Sequence, residues 1–469
     1  MFHRLKSKSF LNIFWSFADN ILQQVMNFVV GIILARLLLP EEFGLVGIVT
    51  VFVTLSTVFV DGGFSAALIN KKDTGEREYS TIFYTNLVIS IGVYLILYVS
   101  ANTIAGFFKN DVISDLLKLC GLNVVLVAFT VIQRSILIRE LNFKLITIIS
   151  LVAVSVSSVC AIVMAYNDFG VYSLVYRVLI GQFITVLLFW FITGWKPTLI
   201  FSYHSFKELF SYGINLFFSN LLNKIHTNLY YLVVGKFFSA SQLGFYTRAA
   251  TFRDLASTNI SNTIQRVSFA TLSRIEKEDE RIKRFLKFVD ITYLLASLAM
   301  AFLLFSSKEI VLVLLSEKWL PSVEILKILS CGGTFVALYN LNLDYLAVIR
   351  RTKQYLKIEI LGKVLVIPVV LAGIWNSFEV FLWGTVIHGV IMFIIVLSIL
   401  SKIDLKILQR QFALILRSCT IFIFLFYLEA YMVIDLSVFL ILLIKVLIVL
   451  VLFIGFHGKQ VINLVKDFT

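Results

Sequence analysis

The feature that most constrains this chain is a succession of apolar runs, each about 20 residues long, separated by short polar breaks. A bilayer core about 30 Å thick is crossed by roughly 20 residues of α-helix. Inside it every backbone N–H and C=O must be satisfied within the protein, which leaves helices or a closed barrel. Runs of this length, rather than alternating ten-residue strands, exclude the barrel. Reading the runs between breaks predicts fourteen spans, at about 11–35, 42–69, 80–107, 114–137, 144–166, 169–194, 209–236, 241–272, 286–306, 322–349, 354–375, 377–400, 411–433 and 436–456. The expected fold is therefore an all-α polytopic membrane protein. A soluble domain, in which about 25% of residues are charged, is excluded by 59% hydrophobic and 15% charged residues and a mean hydropathy of +0.93. The start, Met1 to Ser9, is basic like a signal peptide. The segment after it holds Asp19, Asn20, Gln23 and Gln24 with no small-residue cleavage site, so it is expected to remain as the first span.

A net charge of +13 in a soluble protein would suggest a nucleic-acid partner. Here the bases gather in alternate loops, 26 Lys and Arg on one side against 5 on the other. Translocation disfavours cations, so this asymmetry reports orientation and places both termini in the cytoplasm; no nucleic acid is expected. Cys120, Cys160, Cys331 and Cys419 fall in apolar stretches without metal-ligand spacing and read as buried thiols. There is no G-x-x-x-x-G-K-[ST] loop, no H-E-x-x-H and no Cys/His cluster, so neither a cofactor nor a metal is expected, and the chain reads as a transporter rather than an enzyme. Energy for directed transport then comes from an ion gradient or from consumption of the product.

The chain repeats itself at an offset of 200 residues: Arg36-Leu-Leu-Leu-Pro-Glu-Glu-Phe-Gly44 aligns with Lys236-Phe-Phe-Ser-Ala-Ser-Gln-Leu-Gly244. Each copy begins at the end of one span and places a glycine at the start of the next. The copies run the same way through the membrane, as in transporters with parallel repeats. This predicts two six-helix lobes, 1–200 and 201–400, around a central cavity, then two additional helices and a cytoplasmic tail over 401–469.

Charged groups at mid-bilayer cost about 2.5–3.5 kcal/mol on insertion scales, so they tend to face a cavity or a partner. In the first span Asn12, Ser16, Asp19, Gln23 and Asn27 recur at helical spacing within an arc of about 80°. The seventh span repeats the device with Asn215, Ser219, Asn223 and Thr227, with His226 and Tyr230 alongside. Any one of these residues is well explained by hydrogen bonds between helices; the matched pair of stripes favours a shared aqueous cavity. In the eighth span Arg248, Thr251, Asn259, Asn262 and Arg266 fall within about 60° of one direction, whereas Arg253 and Asp254 point elsewhere. Fixed guanidinium groups on a cavity wall suit a phosphate-bearing ligand. Snorkelling of Arg248 and Arg266 to headgroups fits the same positions equally well. Arg177, Lys224, Asp344 near Asn340 and Asn342, and His388 are further buried candidates, and Glu359 with Lys363 reads as a structural ion pair. The pairs Gly62-Gly63 and Gly332-Gly333 suggest close helix packing or a hinge.

The segments Leu34-Ala-Arg-Leu-Leu-Leu-Pro-Glu-Glu-Phe-Gly-Leu45 and Phe59-Val-Asp-Gly-Gly-Phe-Ser-Ala-Ala-Leu-Ile-Asn-Lys-Lys72 resemble the polysaccharide-transporter branch of the multidrug/oligosaccharidyl-lipid/polysaccharide exporter superfamily. So do Gln133-Arg-Ser-Ile-Leu-Ile-Arg-Glu-Leu-Asn-Phe-Lys144, and Leu243-Gly-Phe-Tyr-Thr-Arg-Ala-Ala250 leading to Thr271-Leu-Ser-Arg274. The likeness runs through roughly the first 290 residues; beyond them it is mainly one of hydropathy. Thr247-Arg248 stands where the family is expected to have Asn-Arg. The resemblance implies alternating access and export of lipid-diphosphate-linked sugars for O-antigen, capsule, exopolysaccharide or teichuronic acid across a bacterial cytoplasmic membrane. On that reading Arg177, Arg248, Arg253 and Arg266 attract the diphosphate. Gln23, Asn27, Asn215 and Asn223 take sugar hydroxyls, and Asp19 and His226 couple an ion or proton. The expected partners are a polyprenyl-diphosphate-linked oligosaccharide, membrane lipids, and the glycosyltransferases and polymerase of the same pathway. An ion-coupled drug exporter of the same superfamily predicts an acidic cavity, whereas the buried charge here is mostly basic. A membrane polymerase or ligase predicts a large periplasmic loop, and none is visible.

Overall fold

The computed structural model describes the backbone of residues 2–431 and 436–466, with side chains at 15, 18–429, 431 and 436–458. The side chains of Asn12 and Ser16, the outer members of the first polar stripe, lie outside the described residues. The elements are α1 (Phe2–Leu37), α2 (Pro40–Asp61), α3 (Phe64–Asn70), α4 (Glu76–Phe108), α5 (Val112–Arg139), α6 (Phe143–Tyr166), α7 (Val171–Thr193) and α8 (Tyr203–Phe237). There follow α9 (Ala240–Ala256), α10 (Thr258–Leu272), α11 (Glu278–Phe305), α12 (Ser307–Ile310), a π-helical turn (Val311–Leu315) and a 3-10 turn (Glu317–Trp319). The chain continues through α13 (Ser322–Val348), α14 (Thr352–Trp375), α15 (Phe378–Ser401), α16 (Leu405–Tyr431) and α17 (Val438–Lys466). Among the described residues there is no strand, as expected of an all-α membrane protein.

Among the described residues, twelve helical segments are long and apolar enough to cross a membrane. The fourteen spans read from sequence included two more, α8 and the α9–α10 pair, which are helical but too polar to be counted on apolarity. Two of the runs are also interrupted. The second becomes α2 and α3, because Gly62 and Gly63 take φ of +51° and +77°, a left-handed turn that only glycine adopts without strain. The eighth, expected as one span, is two helices meeting at Ser257. The thiols differ from expectation as well: Cys120 is buried, Cys160 and Cys331 are partly so, and Cys419 is exposed, so the apolar setting of Cys419 is the outer face of a helix.

Contacts divide the chain into two compact units, Met1–Gly244 and Phe245–Thr469. In the first, α4 packs on α5, α6 on α7 and on α1, and α5 on α2 and α7, while α8 lies along α2, α3 and α4. Phe64, Ile82, Phe83, Ile132, Trp195 and Leu209 form one buried cluster. The Arg139 guanidinium closes the C-terminus of α3, donating to the carbonyl oxygens of Leu68 and Lys71 at 2.5 Å and of Lys72 at 3.0 Å. In the loop after α3, a 2.7 Å contact with Glu208 holds the Lys71 ammonium above the usual lysine pKa.

The two copies of the sequence repeat meet within this unit. Leu39 N–H donates to Glu42 Oε2 (2.6 Å) and Ser239 N–H to Gln242 Oε1 (3.1 Å), so α2 and α9 open on the same cap 200 residues apart. Their first turns then touch reciprocally. A Cβ built on Gly44 would lie 2.7 Å from the carbonyl carbon of Ala240 and collide with its oxygen; one on Gly244 would lie 2.6 Å from the carbonyl carbon of Pro40 and collide likewise. The α2–α8 seam continues through Gly235, where a Cβ would reach 2.7 Å from Ile48, to Gly213, where it would reach 2.8 Å from the oxygen of Gly62. Glycine lets backbone meet backbone at Gly44, Gly244 and Gly213, and lets the Ile48 side chain rest on the backbone at Gly235.

In the second unit α11 packs against α10, α13, α16 and α17, and α15 joins α13, α14 and α16. Phe285, Val289, Tyr293, Leu338, Tyr345, Phe393 and Leu400 lie at its core. The last two helices are fastened to this core by polar pairs. Arg410 forks onto Asp290 at 2.9 and 2.8 Å, and the buried amides of Gln411 and Asn342 exchange hydrogen bonds at 2.8 and 2.9 Å. Ser418 donates to the Tyr293 hydroxyl at 2.7 Å. On α17, Lys445, 4% exposed, reaches Glu309 at 2.9 Å and the carbonyl oxygen of Phe305 at 2.8 Å. Glu429 lies 3.9 Å from Lys445 and 3.2 Å from Lys327.

Candidate functional site

The polar face of α1 is built from side chains one helical turn apart. Gln23 Nε2 donates to Asp19 Oδ1 at 2.8 Å, four residues earlier on the same face. One turn further, Asn27 accepts at 2.6 Å from Nη2 of Arg177, which α7 presents. Sequence reading named Asn27 and Arg177 separately; the structure joins them although they stand 150 positions apart. The Arg177 guanidinium is partly buried, and Asn27 is its one hydrogen-bonded side chain among the described residues. A neutral acceptor holds one edge of this planar fork and leaves its charge uncompensated, with further N–H groups available to a bidentate acceptor.

On α8, Asn215 and Asn223 are exposed and His226 is partly buried. Thr227 donates back to the Asn223 carbonyl at 2.8 Å, which keeps this hydroxyl on its own helix. Arg248 is partly buried on α9. Arg253, expected to point away from Arg248, donates through Nε and Nη2 to Oδ1 of the adjacent Asp254 at 2.9 and 2.7 Å. Arg266 is exposed on α10. Hydroxyls hold the α9–α10 bend against α13: Ser257 donates to the Gly333 carbonyl at 2.8 Å and Ser261 to that of Ala337 at 3.2 Å. Gly333 also lets α13 approach α11, since a Cβ there would lie 2.9 Å from Met300 Cγ.

Glu359 and Lys363 form the i,i+4 ion pair read from sequence, at 3.7 Å. His388 Nε2 lies 3.0 Å from the Gly362 carbonyl oxygen. Sequence reading missed the ion network of Lys445, Glu309, Glu429 and Lys327. Its signals were single charges within apolar runs, Lys445 in α17, Glu429 in α16 and Lys327 in α13, and the partners lie on different helices, Glu309 136 positions from Lys445.

The family described as polysaccharide biosynthesis protein matches residues 33–324. The chain is 25% identical over 290 residues to the teichuronic acid biosynthesis protein TuaB of Bacillus subtilis (strain 168), an alignment spanning 61% of this chain and 60% of TuaB. It is 23% identical over 372 residues to the lipopolysaccharide biosynthesis protein WzxC of Escherichia coli (strain K12), covering 79% of this chain and 76% of WzxC. Among solved structures, the lipid II flippase MurJ in an inward closed conformation superposes with a TM-score of 0.75 at 16% identity, over 96% of this chain and 100% of that one. At that identity the likeness is one of fold. The matched segment runs from the last turn of α1 into α13 and contains all four candidate arginines, so the chain belongs to the polysaccharide biosynthesis protein family.

Proposed function

We propose that the protein is a flippase that moves lipid-diphosphate-linked oligosaccharide precursors across the cytoplasmic membrane by alternating access, for assembly of a surface polysaccharide. The observation that carries this reading is the Arg177 guanidinium, fixed on one edge by Asn27 and otherwise open. A diphosphate presents paired anionic oxygens that match such a fork, and the charge of arginine persists at any physiological pH. Relatives that serve teichuronic acid and lipopolysaccharide biosynthesis support the substrate class, and a flippase of lipid II shares the fold.

In this reading Arg177 and Arg248 attract the diphosphate, with Arg253 moderated by its Asp254 partner and Arg266 drawing the headgroup from the surface. Gln23, Asn27, Asn215 and Asn223 meet sugar hydroxyls, and Asp19 and His226 carry the coupling ion. Both termini face the cytoplasm in this reading, which the asymmetry of loop charge supports. The protein acts as a secondary transporter, with glycosyltransferases and a polymerase of the same pathway supplying and consuming its substrate.

The test is export in a deletion strain carrying Arg177→Ala, Arg177→Lys or Asn27→Ala at matched protein levels. The expected result is loss of surface polymer with accumulation of lipid-linked precursor in Arg177→Ala and partial loss in the other two. Full export by Arg177→Ala would reject the assignment.

A further inference from the structure

We infer that the connection between α7 and α8 is a rigid apolar prong that inserts into the headgroup boundary of the bilayer and ties the first turn of α8 to the lipid surface. The segment is Thr198-Leu-Ile-Phe-Ser202. Its three central side chains project from the protein: Leu199 is 95% exposed, Ile200 46% and Phe201 58%, and Tyr203 just beyond is 69% exposed. Both ends of the segment are fixed to the start of α4. Thr198 N–H donates to Ser80 Oγ at 3.0 Å, and Ser202 N–H donates to Thr81 Oγ1 at 3.0 Å. Ser202 in turn caps α8, its Oγ accepting from Ser205 N–H at 3.3 Å. On the α7 side, Trp195 is buried and donates through Nε1 to Glu76 Oε2 at 2.8 Å. The exposed apolar residues therefore stand between two anchored points, and inserting them needs no further ordering of the backbone.

The occupant of this surface is phospholipid. The prong continues the outer face of α7, where Phe191 and Ile192 are exposed at the end of a membrane-spanning helix. Phe201 and Tyr203 supply rings of the kind that settle at the membrane–water boundary. Lys196 and Lys207, exposed on either side, provide cations at the level of anionic headgroups. An apolar tip between basic flanks is the pattern of an interfacial anchor. The stiff connection to Ser80 and Thr81 passes the depth of that anchor to α4 and α8 together.

The test places a nitroxide at Leu199→Cys or Phe201→Cys in a full-length protein whose four native cysteines are replaced by alanine. The protein is held in nanodiscs of phosphatidylethanolamine and phosphatidylglycerol. Power saturation with oxygen and with a water-soluble nickel chelate reads depth, with Ile192→Cys as the lipid reference and Asp73→Cys, in the exposed loop before α4, as the aqueous one. The expected oxygen-to-chelate ratio at 199 and 201 is several-fold above that at 73 and close to that at 192. A ratio at both positions equal to that at 73 overturns the inference, because the prong then stands in water. Shielding from both reagents also overturns it, since protein rather than lipid would cover the segment.

Discussion

Replacing Gly244 with alanine puts a methyl group where the first turns of α2 and α9 meet. The new Cβ would lie 2.6 Å from the carbonyl carbon and 3.2 Å from the Cα of Pro40. Carbon atoms rest at about 3.5–4.0 Å, so the two turns must part by roughly 1 Å. Both colliding partners are backbone, and no rotamer change relieves them. Forcing a methyl group into packing this close costs about 1–3 kcal/mol, which lowers the population of the closed turns about 5- to 150-fold against any state in which they stand apart. Gly44→Ala creates the equivalent collision with Ala240; the two sites share one seam, so their effects will not simply add. Spin labels at Leu39→Cys and Ser239→Cys, exposed residues just ahead of the two helices, report the separation by double electron–electron resonance. The short-distance population of the parent protein should shrink in either alanine variant and nearly vanish in the double variant, with export falling in parallel. An unchanged distance distribution in all three variants would refute the reasoning, whether export persists or a lowered Tm shows that the whole unit has been destabilised instead.

The buried ion network gives a second expectation. Lys445→Met leaves Glu309, 6% exposed, without its closest cation and should destabilise the second unit by about 3–5 kcal/mol; adding Glu309→Gln should recover most of the loss in a thermal melt. The reciprocal amide pair behaves likewise. Gln411→Leu strands the buried Asn342 side chain at about 1–3 kcal/mol, and the Asn342→Leu/Gln411→Leu double variant should melt above Gln411→Leu alone.

Much of this fold was legible because the bilayer imposes a single length scale on apolar runs, and the polar residues inside them stand out. Gly44 and Gly244 were visible as a repeat, and the structure explains their shared spacing by a reciprocal approach that sequence alone does not reveal. Arg177 and Asn27 were each recognisable as intramembrane polar groups. Their pairing depends on how α1 and α7 come together, which no window along the chain contains. The bend at Ser257 escaped notice because it has neither proline nor glycine; hydroxyl contacts to the carbonyls of Gly333 and Ala337 hold it, and these are tertiary. Cys419 was misread for a related reason. In a membrane protein an apolar run has an outward face as well as an inward one, and hydropathy is the same on both.

The most direct test of the central claim is translocation in proteoliposomes of the purified protein, using a polyprenyl-diphosphate-linked oligosaccharide and its monophosphate analogue. The account predicts that the protein accelerates transfer of the diphosphate-linked substrate over the monophosphate, and that Arg177→Ala removes this preference while the protein remains folded. Equal rates for the two headgroups, or an Arg177→Ala variant that keeps the preference intact, would contradict it.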